Sequence, residues 1–347
     1  MKSIAILGHF AKGRQQYDGQ TIKTRIIGNE ILQRYGEQDV SLIDTHGGWR
    51  TLIKLPWILL HLLANYRNIV IMPAHNGVRL IVPLLTLGNL LFHRSIHYVV
   101  IGGWLPRFTK RYGYLRRALH HINGIYVEAE FIANDLRSQS YENIIIMPNT
   151  KPLQIIPETE LPKSFEAPYR LCTFSRVTKE KGIEYAIQAV NECNKRTGRR
   201  IFELDIYGLI EKKDKDWFEA LMSRQGSEIS YKGTIPYDKS TEVLKGYFAL
   251  LFPTYYEGEC FAGTLIDAMA SGLPAIVSDW HENTNIVEDG KTGFIFPTHN
   301  VKKLTEILLA LAQAPEESIP IRQNCVRKAF KYQPENVLEI LTSRFQL

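Results

Sequence analysis

Twelve short apolar runs, each five to seven residues long, recur along the chain at intervals that leave room for a helix between them. In the first half they are Ile4–Gly8, Val40–Asp44, Ile69–Pro73, His97–Gly103, Gly124–Glu128 and Ile144–Pro148. Several are apolar at every position, the pattern of strands covered on both faces of a parallel sheet. Helical stretches at Ile22–Tyr35, Pro56–Tyr66 and Tyr112–His121 fall between them. Lys151–Pro168 then carries four prolines and no clear periodicity, which predicts a linker. Beyond it the alternation restarts, with strands predicted at Arg170–Ser175, Phe202–Gly208, Ile229–Ile235, Phe248–Thr254, Pro274–Asp279 and Gly293–Pro297. Helices are predicted at Gly182–Arg196, Asp216–Arg224, Thr264–Ser271 and Val301–Ala312. Two βα arrays predict two doubly wound α/β domains, residues 1–160 and 165–328. A C-terminal helix over 330–347 is expected to pack back on the first.

A chain of 347 residues, 45% apolar and 22% charged, can bury two cores, which excludes disorder. The opening Met1–Gly8 run is too short for a signal peptide, and the uncharged stretches Leu55–Tyr66 and Leu80–Phe92 are too short to span a bilayer. No membrane crossing is expected. Cys172, Cys193, Cys260 and Cys325 show no metal-ligand spacing and read as reduced thiols of a cytoplasmic protein, Cys172 and Cys325 in the core. Net charge is +6, but residues 1–150 hold 17 Lys and Arg against 9 Asp and Glu, while the remainder is −2. A basic N-terminal half points to an anionic partner: a phospholipid surface, a lipid diphosphate or nucleic acid.

The most informative stretch is Pro253–Pro274, PTYYEGECFAGTLIDAMASGLP. A strand ends at Thr254, a glycine-bearing loop follows, and a helix starts near Ala262–Thr264 and stops at Ser271-Gly272. Glu259 stands just before that helix and Asp267 about a turn inside it. The free amides of Ala262, Gly263 and Thr264 make an anion seat. The alternative is a junction whose acids merely favour the helix N-terminus. The stretch resembles the glutamate–seven–glutamate motif of retaining glycosyltransferases of the GT-B fold, family 4, with Asp267 at the second glutamate and Cys260 at the usual glycine before Phe261. The resemblance implies two Rossmann-like domains facing a central cleft, with Glu259 positioning the donor sugar and Asp267 bonding the ribose.

Phe174–Gly182 (FSRVTKEKG) follows a strand and opens a helix, and resembles the family segment in which Arg and Lys grip the diphosphate. Arg176 and Lys181 are the candidates, since two fixed cations can stabilise a departing nucleoside diphosphate. Lys179 is expected to face solvent. Gly208, at the end of a strand resembling the family's "YG", and Thr234, in the Tyr231–Ile235 segment resembling the family strand whose following loop lies by the nucleobase, are further donor-side candidates. Pro148-Asn149 resembles the family's "PN" before the linker. In the first half, Asp18-Gly19-Gln20-Thr21 stands where the family has a Gly-Gly loop facing the diphosphate, which singles out Gly19. His75 ends a strand near an acceptor-side histidine of the family, and Gly102-Gly103-Trp104 could shape the same cleft. Each is otherwise a packed or satisfied loop residue.

Asp214-Lys215-Asp216 spells an acid-x-acid metal pattern, but the resemblance implies no metal and no cofactor beyond the donor, and a solvated helix start is expected there. Arg107–Arg117 interleaves five cations with Phe108, Tyr112 and Tyr114, and with Trp49, Arg50, Lys54 and Leu55–Ala64 it suits a membrane headgroup surface. A solvated face and RNA binding are the alternatives. Taken together, the expectation is a retaining hexosyltransferase working from a nucleotide-sugar, UDP-sugar favoured, onto a glycan or polyprenyl-diphosphate-linked acceptor in capsule, exopolysaccharide or O-antigen synthesis, peripheral on the inner membrane face. The rivals are a GT-B sugar-nucleotide epimerase and a basic nucleic-acid-binding protein; no nucleic-acid motif backs the latter, and no nucleic acid is expected.

Overall fold

The computed structural model describes residues 2–11, 13, 19–46 and 49–346, with backbone alone for residues 49–52 and 237. The chain divides into two compact units, Met1–Pro152 with Gln333–Leu347, and Leu153–Tyr332. Strands β1 (Lys2–Gly8), β2 (Val40–Asp44), β3 (Tyr66–Met72), β4 (Ser95–Val99), β5 (Gly124–Val127) and β6 (Ile144–Ile146) form the first sheet in the order β2-β1-β3-β4-β5-β6. All its pairings are parallel. Helices α1 (Gly19–Tyr35), α2 (Trp49–Asn65), α3 (His75–Phe92), α4 (Leu105–Arg111), α5 (Gly113–Leu119) and α6 (Glu130–Ser138) connect these strands. Right-handed crossovers put α2 and α3 on the sheet face opposite α1.

The second unit repeats the plan with β7 (Tyr169–Phe174), β8 (Phe202–Tyr207), β9 (Ile229–Gly233), β10 (Ala249–Phe252), β11 (Ala275–Ser278) and β12 (Gly293–Phe296), ordered β12-β11-β10-β7-β8-β9 and again parallel. Its helices are α7 (Ile183–Thr197), α8 (Lys215–Met222), α9 (Ser240–Leu244), α10 (Gly263–Ala270), α11 (Asn283–Ile286), α12 (Val301–Gln313) and α13 (Ser318–Ala329). Alternation along each strand feeds two cores. Leu171, Ala249 and Leu251 join Ile187 and Val190 of α7 and Leu304 and Leu308 of α12 on one face. Cys172, Leu250 and Phe252 join Leu265 and Met269 of α10 and Cys325 of α13 on the other. Arg322 of α13 is fully buried and donates to the carbonyls of Gly272, Tyr247 and Phe248. All four cysteines are buried and stand outside any disulfide.

Three expectations change. The segment read as a linker packs instead on the second unit from Leu153 onward: Leu153, Ile156 and Leu161 are buried, and the Ile156 amide donates to the Ala270 carbonyl at 3.0 Å. The apolar residues between its prolines drive this, and the boundaries fall at 152/153 and 332/333. The tail after Tyr332 is two single turns, α14 (Pro334–Val337) and α15 (Glu339–Thr342), not one helix. Val337, Leu338 and Leu341 enter the first core beside Ile27, Ile31 and Val70. Helices α3, α4, α6, α9, α11 and α13 have no counterpart in the periodicity reading.

Phe345 of the tail packs edge-on to His97, ring centroids 5.3 Å apart. The His97 ring lies between the hydroxyls of Ser95 (2.9 Å) and Tyr126 (3.0 Å), and burial, with Arg344 nearby, lowers its pKa to about 4. An unfolded histidine protonates near 6.5, so stability from this ring is present above that pH and is lost as pH falls toward 4, a loss of roughly 3 kcal/mol. Denaturant unfolding of the wild type should weaken over that window, and His97→Gln should flatten this part of the profile. A second expectation concerns Gly208, whose φ is +136° and where a Cβ would sit 1.7 Å from the Ser175 carbonyl oxygen. Gly208→Ala should cost about 1–3 kcal/mol or more in the same assay. Gly198→Ala, at φ +66° with open space around it, should cost about 1 kcal/mol from conformation alone.

Candidate active site

In the second sheet β7, β8 and β9 run outward in one direction and β10, β11 and β12 in the other, so the order reverses between β7 and β10. The loops leaving those two strands flank the crevice where open α/β sheets take ligands. Three contacts stitch them together. Gly182, at φ +72°, approaches Pro253 so closely that a Cβ would lie 2.0 Å from its carbonyl oxygen. The Tyr255 amide and the Thr254 hydroxyl both donate to the Glu180 carbonyl, at 2.8 and 3.4 Å. Lys181 Nζ donates to Glu259 Oε2.

That ion pair is deeply held: the Lys181 side chain is 8% exposed and that of Glu259 11%. Glu259 Oε2 also accepts from the buried Thr254 hydroxyl at 3.2 Å. The Lys181 ammonium lies over the rings of Tyr256 (5.1 Å) and Phe252 (5.5 Å). Arg176 lies over the same Tyr256 ring at 5.5 Å, half exposed, and pairs with Glu211 at 3.0 Å. Sequence motifs 78 residues apart thus meet in one charged cluster.

The remaining donor-side candidates each have their own surroundings in the second unit. Helix α10 begins at Gly263 with Ala262 as its cap residue, and the Thr264 hydroxyl donates to the Phe174 carbonyl at 2.8 Å, which sets the first turn against the end of β7. Phe261 is buried and packs edge-on to Tyr332, so its ring serves the core. Asp267 is buried in α10, 4% exposed. Gly208 lies on the Ser175 backbone, and its amide donates to Gly233, next to the exposed Thr234. Lys179 is exposed, its ammonium 5.9 Å from the Trp217 ring.

In the first unit the order reverses between β1 and β3. His75 opens α3 there, stacked on Trp104 at 4.1 Å and edge-on to Phe108. Gly19 is the exposed first residue of α1, and neighbouring Gln20 donates to the Met72 carbonyl at the end of β3. Asp18 and the side chains of Trp49 and Arg50 lie outside the described residues. Asp214 departs from the solvated helix start expected of it: the turn folds it inward to 4% exposure, while Asp216 stays exposed. Among the described residues no cluster of three or more His, Cys, Asp or Glu has a metal-binding arrangement.

Thr254, Tyr256 and Glu211, which hold Glu259, Lys181 and Arg176 in place, are none of the candidates that the sequence motifs single out. Neither are the partners of the buried Lys23–Glu128 ion pair that joins α1 to the end of β5. Only the "TYYEGE" spelling hinted at the first two.

Among known families, the model described as Glycosyl transferases group 1 matches residues 158–332. The chain is 28% identical over 167 residues to the "UDP-N-acetylglucosamine--peptide N-acetylglucosaminyltransferase GtfA subunit" of Streptococcus gordonii, covering 47% of this chain and 31% of that protein. It is 25% identical over 167 residues to the "Amylovoran biosynthesis glycosyltransferase AmsK" of Erwinia amylovora, covering 47% of this chain and 40% of that one. The matches thus span less than half the length of either relative. The structure of Anabaena Alr3699/HepE in complex with UDP superposes over 98% of both chains with TM-score 0.71 at 13% identity. At that identity the likeness establishes the fold alone, the GT-B arrangement of two doubly wound α/β units.

Removing one partner of a buried ion pair strands the other charge, a loss of about 3–5 kcal/mol. Lys181→Met and Glu259→Gln should each lower unfolding stability, and a double-mutant cycle should give a coupling of at least about 1 kcal/mol. Simple additivity would show that the pair does not hold the two loops together.

Proposed function

Since the chain belongs to the group 1 glycosyl transferases, we propose that it transfers a hexosyl unit from a nucleotide-sugar, UDP-sugar first, to a glycan or lipid-linked sugar acceptor with retention of anomeric configuration. The observation that carries this reading is the convergence of Arg176 and Lys181 on the Tyr256 ring beside Glu259, at the reversal point of the second sheet. Loss of a nucleoside diphosphate builds negative charge on the leaving oxygen, and two fixed cations in a partly desolvated pocket oppose that charge. Attack comes from the front face, the leaving diphosphate oxygen takes the acceptor proton, and Glu259 positions the donor sugar. Asp267 holds the ribose. Gly263 and Thr264, at the first turn of α10, add amides toward the phosphates. His75 serves the acceptor side.

UDP is favoured because the GtfA relative is named for UDP-N-acetylglucosamine and the HepE structure holds UDP. AmsK, named for amylovoran biosynthesis, supports an acceptor in capsule, exopolysaccharide or O-antigen synthesis. The basic first unit suits a polyprenyl diphosphate at an anionic membrane surface.

A thermal-shift panel of UDP, GDP and ADP should show stabilisation by UDP. Arg176→Ala should weaken UDP binding at least roughly tenfold by calorimetry, the loss of one charge-assisted contact. Glu259→Gln should cut turnover while UDP binding largely survives, and Asp267→Ala should weaken UDP binding itself. Unchanged affinity in Arg176→Ala for every nucleotide the wild type binds would sink the donor grip.

A further inference from the structure

Helices α2 and α3 of the first unit are apolar on two faces. Their inner faces bury Leu59, Leu62 and Leu63, and Val78, Ile81 and Leu85. Outward, α2 exposes Ile53, Trp57 and Leu60 at i, i+4 and i+7, a single stripe, with Trp57 75% exposed. The outer stripe of α3 has the same spacing: Leu80, Leu84, Leu87 and Leu91, the last two 67% and 82% exposed. The helices lie side by side in close contact, since a Cβ on Gly88 of α3 would come within 2.7 Å of the Leu63 side chain, and Arg94 Nε donates to the Leu63 carbonyl at 2.7 Å. Two apolar stripes on neighbouring helices far exceed the scattered single apolar residues of an ordinary surface.

The charge around them is one-sided. Residues 45–127, from the end of β2 through β5, contain ten Lys and Arg and not one Asp or Glu. Basic and aromatic groups adjoin α3: Arg79 lies 4.6 Å from the Tyr112 ring centroid and Arg111 5.4 Å, with Tyr114 half exposed on α5. No described helix is long and apolar enough to cross a membrane.

We propose that the outer face of α2 and α3 inserts in the plane of an anionic lipid bilayer, with the leucines and Trp57 at acyl-chain depth and the surrounding arginines and lysines at the phosphates. Apolar burial supplies the part of binding that salt leaves intact, and the unopposed cations supply the part that salt screens. This rests on the membrane-surface element of the proposed function and gives it a location. UDP affinity, measured on the same samples, reports on the transfer reading separately.

The test is sedimentation with vesicles of phosphatidylglycerol and phosphatidylcholine against vesicles of phosphatidylcholine alone. Wild type should bind the anionic vesicles, weaken as salt rises, and keep a measurable fraction at about 0.5 M salt, where charges are screened within a few ångströms. Leu87→Glu/Leu91→Glu should lose at least roughly tenfold at every salt concentration, because two buried apolar side chains become charged. Lys54→Gln/Arg117→Gln should lose several-fold at about 0.1 M salt and match wild type when charges are screened. Both variants change exposed positions and should keep wild-type melting and UDP response. Vesicle binding unchanged in the glutamate pair would overturn the proposal. So would a wild-type dimer in light scattering that the same pair turns into monomer without vesicle binding, or strong single-stranded RNA binding with none to vesicles.

Discussion

The close approach of Gly182 to the Pro253 carbonyl decides the layout of the second unit's working edge. Any side chain at Gly182 would drive the loops after β7 and β10 apart, and with them everything that bridges those loops. Because they touch, one carbonyl, that of Glu180, takes donors from both Thr254 and Tyr255. Lys181 is then carried under cover of the Tyr256 and Phe252 rings, where a lone ammonium would be costly, and Glu259 supplies the counter-charge. On the proposed reading an incoming diphosphate meets cations that already have partners, Glu259 for Lys181 and Glu211 for Arg176. Donor binding is then an exchange of partners, and its strength is the difference between two sets of charge-assisted bonds.

Most of the strand framework was legible because buried parallel strands leave dense apolar runs bounded by glycine and proline. The cations and carboxylates of the second unit were legible through spacing around predicted strand ends. What escaped was of two kinds. Helix α3 lacks a polar face, so Leu80–Phe92 shows no 3.6-residue contrast and reads only as an uncharged stretch. Contacts across long separations carry no local mark either. Nothing near Lys181 announces that its partner is Glu259 rather than an anion from outside, nothing near Lys23 announces Glu128, and the inward turn of Asp214 depends on packing. The segment of residues 151–168 misled in the other direction: its prolines advertise a connector, while the leucines and isoleucines between them supply core.

The tail treats the first sheet as unfinished. Asn68 in β3 exchanges two hydrogen bonds with Gln346, and Arg34 of α1 reaches both Thr342 and Glu339. The chain thus leaves its first unit at residue 152, builds the whole of the second from one continuous stretch, and comes back for its last fifteen or so residues. On a ribosome, where domains generally fold as they emerge, order of birth and order of completion are therefore reversed. The second unit has all of its own residues once Tyr332 has emerged. The first, although begun before it, must wait with Asn68 and His97 uncovered until residues 333–346 have emerged as well.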